Sequence, residues 1–357
     1  MKVNKRVILM TPSMSKGGAE TQLLKIASFL QSKHHKVLII SLKPIDEFNG
    51  DIRKAGVDAL FLRNWSSAPF SNIQILYKTI KKFRPDVVIA FMFIAIIFAR
   101  LLKMRLKFKL ISTIRISVIP KKWYMPFKLT DGLDDAVVYN SVASMINFEK
   151  QKLVSKRGIV IHNGITIPQH TKIDGELVNG SFKWVCIGHF RWNKDYLTLF
   201  KAIALLKHKN FTVDIVGDLN GELWPEKTIE ELNIQDYVNI IGFKKEAHSF
   251  LGQSDAFVLS SFSEGMPNAI LEAMAYARPT VVTDIDGNHE LIEKAQCGLL
   301  CEKQNEHDMA SNMLKIMDMS AADRTALGAK GQQHIKARFS EEQVMGEWMQ
   351  LIDGLAG

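Results

Sequence analysis

Ser263-Glu264-Gly265-Met266-Pro267-Asn268-Ala269-Ile270-Leu271-Glu272-Ala273-Met274, continuing through residues 275–292 as AYARPTVVTDIDGNHELI, decides the fold of this 357-residue chain. An apolar run, Ala256–Ser260, enters it. A loop carrying Gly265 and Pro267 follows, and then apolar residues at helical spacing from Ala269 to Ala277. A second short apolar run, Thr280–Thr283, closes the unit. Strand, loop, helix and strand at these lengths form a crossover, which joins parallel strands. A parallel sheet needs helices on both faces.

The same rhythm extends in both directions. In the second half it predicts strands at Phe182–Ile187, Thr212–Val216 and Val238–Gly242, with helices at Tyr196–His208 and Trp224–Leu232. In the first half it predicts strands at Arg6–Met10, Lys36–Ser41, Ala59–Leu62, Asp86–Ala90, Lys109–Ile114, Ala136–Tyr139 and Gly158–Ile161, and helices at Ala19–Ser32 and Ser71–Phe83. Thr166–Ser181, rich in Gly, Pro, Asn and charge, reads as a connection. The expected architecture is therefore α/β, with two doubly wound Rossmann-like domains facing each other across a cleft. Domain one is placed at 1–170, a linker at 171–181 and domain two at 182–357. A final helix at about 341–355 is expected to pack back on the first domain. Open α/β sheets bind ligands at the carboxyl ends of their strands, so the site is expected in the loops there.

Four loops carry candidate chemistry. In Ser263–Met274, Glu264 lies before the helix and Glu272 two turns into it, so both face one ligand from different heights. The backbone N–H groups of Met266, Asn268 and Ala269 suit phosphate or sugar oxygens. Gly188-His189-Phe190-Arg191-Trp192-Asn193-Lys194-Asp195 places two cations, Arg191 and Lys194, after a strand. Cations in a dry site stabilise the charge that develops on a leaving diphosphate. Lys16-Gly17-Gly18-Ala19-Glu20 lets backbone approach an anion, but it lacks dinucleotide-fingerprint spacing. Thr283-Asp284-Ile285-Asp286-Gly287-Asn288-His289-Glu290 reads as a ligand-facing loop turning on Gly287, rather than a metal site built on Asp284 and Asp286.

Taken together these segments resemble the retaining GT-B glycosyltransferases of family four (glycosyl transferases group 1). The carriers are GGAE at Gly17–Glu20, VVYNS at Val137–Ser141, IHNGI at Ile161–Ile165, GHFRWNKDYLTLFKA at Gly188–Ala202, IVGD at Ile215–Asp218, the Ser263–Ile292 stretch, and CGLL at Cys297–Leu300. They run end to end in the family's order. The resemblance implies that Arg191 and Lys194 bind a donor diphosphate, Glu264 the donor sugar's hydroxyls and Glu272 the ribose. Gly17 and Gly18 would approach the donor from the other domain, and Met266, Asn268 and Ala269 would offer backbone donors. It implies no cofactor and no required metal. Retention in this family is described as front-side attack with the leaving phosphate oxygen as base. Two departures stand out. His189 follows Gly188 where many relatives have Arg, which moves the Arg role to Arg191. Arg115 ends the Lys109–Ile114 strand where many relatives have His, and it is assigned to the acceptor or phosphate side.

Composition narrows the partners. The net charge of +9 favours anionic partners, yet no zinc-finger spacing, RNP pattern or basic helical repeat points to nucleic acid. Three cysteines, Cys186, Cys297 and Cys301, are too few for a disulfide framework, and buried or loop thiols are expected. No signal peptide is read at the start, and Val87–Ala99 is shorter than the ~20 residues that span a bilayer. Basic clusters with apolar neighbours stand out in the first half. They are Lys78–Arg84, Arg100–Lys109 with Phe98, Leu101 and Leu102, and Lys121–Tyr124 with Phe127. They lead to an expectation of a cytoplasmic protein, peripheral on the inner membrane face, with a UDP-sugar donor and a saccharide or lipid-linked saccharide acceptor in surface polysaccharide assembly. A non-catalytic nucleotide-sugar-binding subunit, a sugar-nucleotide epimerase and a soluble-acceptor synthase are the alternatives.

Overall fold

The computed structural model describes residues 4–116, 119–155, 158–168 and 180–355. Most of the expected linker, 171–179, lies outside them. The chain divides into two units, 1–164 with 342–357, and 165–341.

The first unit alternates β1 (Arg6–Thr11), α1 (Gly18–Ser32), β2 (Lys36–Ser41), α2 (Asn49–Lys54), β3 (Asp58–Phe61), α3 (Pro69–Phe83), β4 (Val87–Phe91), α4 (Met92–Lys103), β5 (Lys109–Ile114), α5 (Tyr124–Thr130), β6 (Ala136–Tyr139), α6 (Val142–Lys150) and β7 (Ile159–Val160). Its seven strands are parallel, in the order β3-β2-β1-β4-β5-β6-β7. Alternate residues serve opposite faces. Val7 and Leu9 join one buried cluster while Ile8 and Met10 join the other, and so β1 reads as an unbroken apolar run. The first cluster also takes Val344, Met345, Trp348 and Ile352 of the last helix. Lys5 fixes that helix by donating from Nζ to Ile352 O at 3.1 Å, and it pairs with Asp353.

The second unit contains β8 (Phe182–Ile187), α7 (Tyr196–Leu205), β9 (Phe211–Val216), α8 (Trp224–Glu231), β10 (Val238–Gly242), α9 (His248–Gly252), β11 (Ala256–Leu259), α10 (Asn268–Ala275), β12 (Thr280–Thr283), α11 (Asp286–Ala295), β13 (Gly298–Cys301), α12 (Glu306–Asp318) and α13 (Ala321–Arg338). The last helix, α14 (Glu341–Leu355), follows. Six parallel strands run β10-β9-β8-β11-β12-β13. Both sheets therefore reverse strand order beside their first strand, between β1 and β4 and between β8 and β11. Loops diverge at such a switch point and leave a crevice beyond the strand ends.

Some expectations change. Helix α7 ends at Leu205 rather than His208. Gly287 does not turn a loop; it is the second residue of α11. A Cβ there would lie 2.1 Å from Gly265 O, so the helix abuts the Glu264–Gly265 backbone and glycine is required by contact.

The basic first-half surface is also thinner than its letters suggest. Arg100 is fully buried and forks onto Asp134, with Nε–Oδ1 at 2.9 Å and Nη2–Oδ2 at 2.6 Å, above the ring of buried Phe127. Lys103 and Lys109 both pair with Asp135. Three cations of the Arg100–Lys109 cluster thus face two carboxylates, which removes most of their charge from the surface.

Candidate functional site

The second unit's switch point carries the loop after β8 and the loop after β11. After β8 the chain makes a short 3-10 turn, Trp192–Lys194, and Asp195 takes the left-handed conformation (φ 49°) that starts α7. Thr198 Oγ1 donates to Asp195 Oδ2 at 2.7 Å and holds that start. The loops are stitched together through backbone. Phe262 N donates to Asn193 O at 3.0 Å, Asn193 Nδ2 to Ser263 O at 3.0 Å, and Ser260 Oγ to Lys194 O at 2.8 Å. This stitching points Lys194 Nζ at Glu264 Oε1, 2.6 Å away. Ser261 Oγ donates to the same oxygen at 2.9 Å. The two charged side chains are 15% and 14% exposed, shielded enough for their charges to matter and open enough for a ligand to reach them.

Glycine makes the site's close approaches possible. Gly217, after β9, would place a Cβ 1.9 Å from Gly188 O, so β8 and β9 end in direct backbone contact. A Cβ on Gly188 would lie 3.2 Å from Lys194 Cε.

Downstream, α10 starts after Pro267, whose extended ψ of 115° ends the loop. The first N–H groups of a helix have no intrahelical acceptor and lie along its axis, so Asn268 and Ala269 present donors at this end. Met266 is buried beneath them. Glu272 is half-buried in the second turn, roughly 6 Å along the axis from Asn268. The sheet thus brings Lys194 to Glu264 from two separate loops, and α10, with Glu272 in its second turn, follows the second of them.

Arg191 takes a different place. It is exposed and lines a groove of about 490 Å³ with Phe190, Trp192, Asn220, Glu222 and Trp224, whereas Lys194 turns to Glu264. The sequence did not expose the part played by His189. Its Nδ1 accepts from Asp218 N at 3.0 Å and its ring stacks on Phe243, which ties together the ends of β8, β9 and β10. Ser261, Asn193 and His189 carried no spacing signal, because their partners lie on other strands.

The comparisons with known proteins follow the same division. Residues 16–167 match the sequence profile of Glycosyltransferase Family 4, and residues 170–334 match that of Glycosyl transferases group 1. The chain belongs to the group 1 glycosyltransferases. It is 25% identical over 186 residues to the lipopolysaccharide core biosynthesis glycosyltransferase LpsD of Rhizobium meliloti (strain 1021), covering 52% of this chain and 53% of LpsD. It is 30% identical over 149 residues to the UDP-Gal:alpha-D-GlcNAc-diphosphoundecaprenol alpha-1,3-galactosyltransferase of Escherichia coli, covering 40% of this chain and 38% of that enzyme. The chain thus spans about half or less of the length of these curated relatives. Among solved structures, Anabaena Alr3699/HepE in complex with UDP and glucose superposes with a TM-score of 0.85 at 16% identity, over 98% of this chain and 100% of that one. This group 1 glycosyltransferase has the GT-B fold class, two Rossmann-like parallel-sheet domains.

In the first unit of this group 1 glycosyltransferase, Gly17 is the extended residue before α1 (φ −168°) and Gly18 is the helix's first residue. Glu20 Oε2 lies 2.6 Å from where a Gly17 Cβ would sit. Arg115, just beyond β5, is buried between the rings of Phe91 and Trp348. It donates from Nε to Thr113 Oγ1 at 2.9 Å and from Nη1 to Asn163 Oδ1 at 2.8 Å, while Nη2 is buried with no hydrogen-bond partner among the described residues. Burial pulls its pKa down to about 9, which still leaves it charged at neutral pH.

The remaining titratable candidates lie beside α11 and β13. His289 Nδ1 donates to Asp284 Oδ1 at 2.7 Å at the start of α11, and no group of three or more metal-ligating side chains occurs among the described residues. Burial raises the Cys297 and Cys301 thiols to about 12, so neither is a thiolate at neutral pH.

Proposed function

We propose that the chain is a retaining glycosyltransferase that moves a hexose from a nucleotide diphosphate donor, with UDP preferred, to a hydroxyl of a saccharide acceptor. The observation that carries this reading is the Lys194–Glu264 pair at the second sheet's switch point, followed directly by the α10 start and Glu272. Lys194, with Arg191 three residues before it, offers positive charge to the diphosphate. Glu264 accepts hydrogen bonds from hexose hydroxyls, and Glu272 from the ribose. The N–H groups of Met266, Asn268 and Ala269 complete the cradle.

In the reaction, the bond between the anomeric carbon and the phosphate oxygen breaks. A bond from the acceptor oxygen forms on the same face, and the acceptor proton passes to the departing phosphate oxygen. Negative charge grows on the diphosphate, so cations fixed in advance lower the barrier more than they tighten ground-state binding. In this reading those side chains fill the role of a metal ion, and the rate is independent of chelators. Arg115 is assigned to the acceptor or phosphate side.

The acceptor is proposed to be lipid-linked, in surface polysaccharide assembly. Its support is the surface of α5 and α4. Met125 and Leu129 are 64% and 76% exposed beside exposed Lys121, Lys122 and Lys128, and Leu101 and Met104 are exposed as well. Apolar tips among lysines suit an anionic bilayer surface. No helix among the described residues is long and apolar enough to cross a membrane.

The test is a thermal-shift screen with UDP-, GDP- and ADP-sugars, followed by analysis of the anomeric configuration of any product. A stabilisation by one nucleotide sugar that disappears in Lys194→Ala and Glu272→Ala supports the reading. Binding without turnover toward any acceptor would favour a non-catalytic subunit instead.

A further inference from the structure

Of the residues that line the groove beside the Lys194 turn, the donor reading uses only Arg191. Its walls come from two strand-end loops, Phe190–Trp192 after β8 and Asn220–Trp224 after β9. At about 490 Å³ it has the size of a small-ligand site. Trp192 is 80% exposed and Trp224 39% exposed.

Neither indole is left loose by the fold. Trp192 is braced by the Phe262 ring at 4.9 Å, in a turn already fixed by the Asn193 bridges. Trp224 is held by Phe190 at 6.3 Å and Phe200 at 6.1 Å, and Phe190 itself stacks on Tyr196 at 4.1 Å. Rigid, open indole surfaces bind at low entropy cost. The polar lining is one guanidinium, Arg191, one carboxylate, Glu222, and the amide of Asn220. The formal charges cancel, which disfavours a polyanion such as nucleic acid. Asn220 Nδ2 donates to Phe190 O at 3.0 Å, so the amide is oriented rather than free to rotate.

We propose that this groove is a saccharide-binding subsite for a neutral pyranose chain. A pyranose presents an apolar C–H face and an equatorial rim of hydroxyls. The face packs on Trp192 and Trp224, while the rim meets Glu222 as acceptor and the amide of Asn220. The subsite lies on the same turn as Lys194, so a glycan held here stays beside the Lys194–Glu264 pair without occupying it.

The test titrates the full chain, with saturating UDP present, with maltohexaose, cellohexaose and chitohexaose. The six tryptophan indole N–H signals are followed by NMR and assigned with Trp192→Phe and Trp224→Phe. At least one hexaose is expected to shift the Trp192 and Trp224 signals, and Trp192→Ala is expected to weaken that binding about tenfold or more. Trp192 is mostly exposed, so this variant keeps its fold, and unchanged thermal stability checks that. The proposal is overturned if no hexaose moves either indole at about 10 mM, a concentration that detects millimolar affinity. It is also overturned if hexaose affinity, read by calorimetry, is unchanged in the variant carrying both Trp192→Ala and Trp224→Ala, or if UDP competes the saccharide away. Lys194→Ala and Glu272→Ala should abolish the nucleotide-sugar response while leaving the hexaose shifts in place, which separates failure of this subsite from failure of the donor site.

Discussion

Lys194 Nζ and Glu264 Oε1 lie 2.6 Å apart although 70 residues separate them in the chain. The pair exists because β8 and β11 are neighbours in a parallel sheet and their following loops are bonded backbone to backbone. Lys194→Ala is expected to lower kcat/KM for sugar transfer by about 10²–10³, the cost of removing one preorganised charge-stabilising group. Glu264→Gln should retain the hydrogen bond from Ser261 and lose the ion pair. Steady-state kinetics with the donor identified by thermal shift check both.

Gly287→Ala is expected to destabilise the protein by about 1–3 kcal/mol, because its Cβ would sit 2.1 Å from Gly265 O and neither backbone can yield cheaply. Urea midpoints at unchanged m-value measure the effect. The displaced Glu264 loop should also weaken donor binding, which a merely local packing defect would not do.

Arg100 and Asp134 are both fully buried and form a two-pronged pair. Asp134→Asn strands a buried guanidinium and is expected to cost about 3–5 kcal/mol, whereas replacing both residues with apolar ones of similar volume should cost far less. A double-mutant cycle in urea resolves the two. Vesicle binding should not change, since Arg100 is not on the surface.

His289 titrates above the ordinary histidine range, chiefly through its hydrogen bond to Asp284, with Glu293 adding to it. A raised folded-state pKa gives stabilisation that is fully present below the unfolded value near 6.5 and is lost as pH rises through the folded value. NMR titration of the imidazole should show the raised midpoint, and Asp284→Asn should bring it down. An unshifted midpoint in the parent protein would refute the pairing in solution.

Met125→Asp and Leu129→Asp are expected to reduce co-sedimentation with vesicles rich in anionic lipid at low salt, while leaving nucleotide-sugar thermal shifts intact. Binding that shows no preference for anionic lipid would remove the proposed membrane contact.

Much of the fold was legible in the letters because parallel strands buried on both faces appear as unbroken apolar runs. Lys36–Ser41, Lys109–Ile114, Phe182–Ile187 and Thr280–Thr283 have the same limits in sequence and structure. The start of α11 was not legible. Asp284-Ile285-Asp286-Gly287 has the composition of a turn, and only the packing of Gly287 on Gly265 makes it a helix start. Arg100 was misplaced for a similar reason: a cation among lysines reads as surface until a buried carboxylate is found opposite it.

The sequence by itself determined the element types, their alternation and the residue classes at the strand ends, because these depend on local periodicity and on the short-range geometry of glycine, proline and helix starts. Only the tertiary structure decided which strand ends become neighbours. It turned Lys194 toward Glu264, gave His189 to Asp218 and set Arg191 among tryptophans, since sheet order and backbone contact between distant loops leave no mark in linear spacing.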